Sequence, residues 1–170
     1  ANTGSTQNAG SVYLFNPDNL NEPHTKLYPP AEYDTDHFNF GYAVAATDTR
    51  LIVSALDSNG LNREEGNSSN GIVFIYDATN LSLPPLVIHP PSTGISNWGH
   101  QLFEESNRLF VSSGDGNAIY VYDLTNMDQA PVQLIMPSIQ QQSGTFGKHM
   151  MLSPAATVSQ TITDTIIPAQ

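Results

Sequence analysis

The residues best suited to chemistry are five histidines, His24, His37, His89, His100 and His149, and sixteen carboxylates. A zinc site draws His or Cys ligands from closely spaced positions such as His-x-x-x-His. No pair of these histidines has that spacing and cysteine is absent, so no zinc site is signalled. Three candidates share one context: Tyr42 follows Phe40-Gly41, His100 follows Trp98-Gly99, and Lys148, with His149 beside it, follows Phe146-Gly147. Set around a common axis, Tyr42, His100 and Lys148 would form a ring able to take a ligand or metal. A row of polar residues on a wet inner strand is the simpler explanation. Trp98, the single tryptophan, is a candidate for stacking on a sugar, but it stands where the other copies place Phe, which favours core packing.

Oxygen ligands of the kind calcium accepts are offered by Asp57 and Asn59 in Asp57-Ser-Asn59-Gly60, with Glu64 and Glu65 nearby, and by Asp115 in Gly-Asp-Gly. The spacing departs from a calcium loop, since Gly falls at its fourth position and Leu61 at its fifth. Solvated acidic turns account for these residues, and no cofactor is required. Catalytic signatures are missing: there is no Gly-x-Ser-x-Gly, no His-Glu-x-x-His and no phosphate-binding Gly loop with Lys. Glu104 and Glu105 are adjacent, so on a strand they point to opposite faces and make no dyad. Only a convergence in space of Asp34, Asp36, Glu104 and Glu105 would supply paired carboxylates.

These residues sit in a chain of 170 with 39% hydrophobic and 12% charged residues, enough apolar material for a core and too little charge for disorder. Five basic residues against sixteen acidic ones leave a net charge of -11. That field repels phosphate backbones and anionic membranes, so neither nucleic acid nor a membrane surface is an expected partner. No apolar run approaches a membrane span.

The strongest pattern is repetition. Ser11-Val-Tyr-Leu-Phe-Asn-Pro-Asp-Asn-Leu returns as Ile72-Val-Phe-Ile-Tyr-Asp-Ala-Thr-Asn-Leu and as Ala118-Ile-Tyr-Val-Tyr-Asp-Leu-Thr-Asn-Met. The offsets are 61 and 46 residues; for the interleaved Phe/Trp-Gly phrase they are 58 and 48. Asp77 with Asn80, and Asp123 with Asn126, recur at equal spacing, which marks turn caps and not an active site. Strands are expected over residues 42–46, 50–55, 72–76 and 86–89, and again over 100–103, 109–112, 118–122 and 132–136. The connection between second and third strands shrinks from the stretch 57–70 to Gly114-Asp-Gly-Asn117.

Four short antiparallel strands per unit of about 45–60 residues is the pattern of a β-propeller blade. A β-sandwich or a solenoid is the alternative for turn-bounded short strands. On this reading the chain is one all-β module. It holds whole blades over about 40–89 and 98–136, a back half over 10–30 and a front half over 146–167. Two halves can join into one mixed blade, within the chain or between copies, and protect edges that would otherwise aggregate. Three blades are too few to close, which predicts self-association into a larger ring or membership of a longer propeller.

Phe-Gly, a short strand, Leu51-Ile-Val-Ser-Ala55, a Gly/Asn loop and Gly71-Ile-Val-Phe-Ile-Tyr-Asp77 together resemble the FG-GAP repeat of integrin-type propellers over residues 10–152. Two departures stand out. The turns Thr47-Asp48-Thr49-Arg50 and Glu105-Ser-Asn-Arg108 lack the Asp-rich calcium loop of that family, so calcium is not carried over. Ser54-Ala55-Leu56 and Ser112-Ser113-Gly114 replace Gly-Ala-Pro. Versions without the calcium loop are similar to repeats in virion and fibre proteins of tailed, particularly marine, bacteriophages. The resemblance implies a non-enzymatic structural or adhesive module of an extracellular assembly, a virion foremost, partnered by copies of itself, other virion proteins or a cell-surface glycan or receptor. A secreted or cell-surface adhesion or lectin-like propeller is the alternative, and a propeller enzyme with a central-channel site is the last. In the structural or adhesive reading the variable loops 57–70 and 138–145 would meet the partner.

Overall fold

The computed structural model describes residues 9–33, 38–56, 71–92, 94–114 and 118–135. The sites predicted at Asp57, Asn59, Asp115, Lys148 and His149 lie outside the described residues, as do Asp34, Asp36, His37 and the front half over 146–167. The described chain is all-β apart from one 3-10 turn at Ala31–Tyr33. It opens with a hairpin of β1 (Val12–Leu14) and β2 (Thr25–Leu27). A four-stranded sheet follows, of β3 (Phe40–Ala46), β4 (Arg50–Ala55), β5 (Ile72–Asp77) and β6 (Leu86–Ile88). A second comprises β7 (Leu102–Glu105), β8 (Arg108–Ser112), β9 (Ala118–Asp123) and β10 (Val132–Ile135). Both are antiparallel meanders in chain order, β3-β4-β5-β6 and β7-β8-β9-β10. Among the described residues the three pieces stack as an open series and not as a closed ring.

The sheet of β3–β6 lies between the other two and is covered on both faces. Leu51, Val53, Ile72, Phe74 and Tyr76 pack with Val12, Leu14 and Leu27 of the hairpin. From the opposite face Ile52, Val73, Ile75 and Ile88 pack with Leu109, Val111, Tyr120 and Tyr122 of the last sheet. Side chains alternate between faces along a strand, so two covered faces demand an unbroken apolar run. β5 has one, buried from Ile72 to Tyr76. β9 alternates buried and half-buried residues because only one of its faces is covered. Each fully buried Phe, Ile or Val contributes about 1.5–3 kcal/mol through burial.

The first strand of each sheet is irregular where it meets the second. Pairing of β3 with β4 shifts register between Phe40 and Val44. Ser54 Oγ there accepts from the Ala43 amide at 3.0 Å. In the next sheet Gly99 and His100 amides both donate to the Ser112 carbonyl, and Ser112 Oγ accepts from the Gln101 amide at 3.0 Å. Consequently β7 starts at Leu102 and not at His100 as the sequence predicts. The two serines stand at equivalent repeat positions, wholly buried, and supply the acceptor that the bulged backbone lacks.

Candidate functional site

The seam between the two complete sheets gathers the described candidates. It is built on a repeated three-residue step. Asn39 (φ 51°), Phe40 and Gly41 (φ 90°) lead into the first sheet; Asn97 (φ 50°), Trp98 and Gly99 (φ 84°) lead into the second. Asn tolerates the left-handed region and Gly occupies it without penalty, so both sequences make the same sharp entry. The aromatic ring is thereby turned inward. Phe40 meets Phe74 edge-on at 5.6 Å, and Trp98 meets Tyr120 at 5.1 Å and Tyr122 at 6.1 Å. Trp98 is wholly buried, with its Nε1 lacking a hydrogen-bond partner, and presents no face to a sugar.

Tyr42 and His100 come together across the seam, with ring centroids 5.5 Å apart and planes tilted by 53°. They occupy equal positions in the repeat, Tyr42 within β3 and His100 just before β7, and the stacking of sheets brings them side by side. Tyr42 is exposed and His100 half-buried, with Nδ1 unpartnered. Among the described residues no group of three His, Asp or Glu is placed to hold a metal ion.

Sequence reasoning missed the polar tie of the seam. Arg50 Nη1 lies 2.8 Å from Glu104 Oε1 and 3.0 Å from Asn107 Oδ1. The Glu104 side chain is 4% exposed and that of Arg50 27%. Its positional signal was weak, because the repeat places Ala46 where the later sheet has Glu104. Desolvation offsets much of the attraction of a pair so enclosed, so it adds little net stability. Burial pushes the Tyr76 and Tyr122 hydroxyls above their ordinary range.

The recurring Asp and Asn residues close turns at the sheet rims. Asp77 Oδ1 accepts from the Thr79 amide at 2.8 Å and hydroxyl at 2.6 Å; Asp123 does the same with Thr125 at 2.9 and 2.6 Å. In the hairpin Asn16 takes this role, accepting from the Asp18 amide at 3.0 Å. The Thr79 and Thr125 hydroxyls, with the adjoining amides, hold both carboxyls below the usual carboxylate range. A depressed folded-state pKa gives stability that is present above the unfolded value of about 3.9 and lost as pH falls through the folded value. Thermal stability should therefore decline below about pH 4, and Asp77→Asn with Asp123→Asn should flatten that decline. An unchanged slope in thermal melts across that range would count against the capping role.

Among the described residues no helix is long and apolar enough to cross a membrane. Comparison with protein-family models, with curated proteins and with solved structures finds no match to this chain.

Proposed function

We propose that the chain is a β-propeller-type module of FG-GAP repeats without the calcium loop, serving as a non-enzymatic structural and adhesive part of an extracellular assembly, a phage virion foremost. The supporting observation is the recurrence of one junction. Hairpin, first sheet and second sheet succeed one another by the same Asn-aromatic-Gly entry and the same division of faces. Such a series spends its buried side chains on stacking and leaves the connections free to vary. Its mechanism is presentation: a rigid scaffold holds strand-to-strand loops against a partner. β4 and β8 end at equivalent repeat positions, and the stretches of sequence that follow them differ in length.

The test replaces residues 57–70 by the four-residue connection of the second unit. The variant should keep its melting temperature and strand-type circular dichroism while losing retention on a glycan array or on envelope proteins of candidate host cells. Equal retention by the shortened variant would refute presentation through this loop. Hydrolysis of an array glycan by the purified chain would overturn the non-enzymatic reading.

A further inference from the structure

Both ends of the stack carry faces that are buried at equivalent positions inside it. On the hairpin, Tyr13 and Phe15 correspond to Phe74 and Tyr76 of the first sheet and to Tyr120 and Tyr122 of the second. Those four are buried, whereas Tyr13 is 47% and Phe15 58% exposed. At the other end Phe110, Ile119, Val121 and Leu134 correspond to Ile52, Val73, Ile75 and Ile88, the four residues that the second sheet covers. Leu134 is 37% exposed against 7% for Ile88, and the other three are half-buried where their counterparts are buried. Among the described residues the hairpin therefore shows an uncovered face of the kind that each sheet turns toward its predecessor. The last sheet shows one of the kind turned toward its successor. Within this chain, faces of these two kinds pack against each other twice.

We propose that copies of the chain associate head to tail, the free face of β7–β10 in one copy receiving the free hairpin face of the next. The contact continues the two internal junctions in the same direction, so each copy uses one face for each neighbour and the interface is heterologous. Both faces carry charged groups beside their apolar residues. Lys26 lies on the hairpin face, its Nζ 5.1 Å from the centre of the Tyr13 ring and 4.7 Å from that of Tyr28. On the opposing face a groove of about 450 Å³ is lined by Phe110, Val121 and Leu134 and carries both Arg108 and Asp123. The proposal rests on the modular reading above and names the surfaces through which modules meet.

Two single substitutions separate the faces: Phe15→Asp at the head and Leu134→Asp at the tail. Each places a charge in the apolar contact and should weaken self-association at least about tenfold in sedimentation velocity. Circular dichroism should remain that of the folded parent, since both side chains are exposed or partly so. Mixed at equal amounts, the two variants should form a one-to-one dimer that grows no further, because one keeps an intact tail and the other an intact head. A misfolded variant would not be rescued in this way. Association of the parent that neither substitution weakens, or variants that stay monomeric when mixed, would overturn these faces while leaving the modular reading in place. A parent monomeric at every concentration would overturn self-association itself; equal retention by the loop-shortened variant would refute only the presentation reading.

Discussion

Replacement of Trp98 by alanine should cost about 3–5 kcal/mol, a large share of the stability of an ordinary domain. The indole is wholly buried at the point where two sheets meet and touches both tyrosines of the second. Its removal leaves a cavity that backbone on either side cannot fill, because the sheets hold their separation through the rest of the seam. Trp98→Phe should cost only a fraction of this, since Phe40 performs the same task at the preceding junction. Urea unfolding followed by circular dichroism measures both changes, with an unchanged slope confirming that stability alone has moved. Comparable losses for the two variants would mean that the junctions are not equivalent.

The second large effect is expected at Gly71. A Cβ there would lie 1.8 Å from the Trp98 carbonyl oxygen and 3.0 Å from that of Ala55. Both obstacles are backbone, so Gly71→Ala must push the Trp98-Gly99 entry of the second sheet, and the end of β4, away from the start of β5. We expect a loss of about 3 kcal/mol or more, at the severe end for a single methyl group. Gly94→Ala is the control. Gly94 has open space around its would-be Cβ but a φ of +82°, so it reports backbone strain without collision. Its cost should be about 1–2 kcal/mol. Equal losses at the two sites, read from the same urea curves, would remove close approach as the reason for glycine at 71.

How much was legible in the sequence follows from how local each feature is. β5 and β9 were readable because an unbroken run of β-branched and aromatic residues between turn signals needs no distant partner to declare a strand. The rim turns were readable too, since an Asp or Asn bonding two residues ahead is complete within four residues. The Phe/Trp-Gly phrase could be recognised as a repeat, yet its job, turning a ring inward between sheets, depends on Gly71 and on strands far along the chain. Ser54 and Ser112 stood out only as departures from Gly-Ala-Pro; that they satisfy a bulged amide is a fact of pairing register. Arg50 and Glu104 were unreadable as a pair because the repeat supplies the cation twice and the acid once, with Ala46 and Leu152 at the matching positions. Tyr42 and His100 were brought together as their equal positions implied, while Trp98 lies in the core.

Assembly is where the account is most exposed, and native mass spectrometry of the unmodified chain tests it most directly. The hairpin and tail faces, uncovered among the described residues, predict species at twice 18.4 kDa and higher multiples, growing with concentration and absent in Leu134→Asp. A single 18.4 kDa species up to the limit of solubility would contradict it.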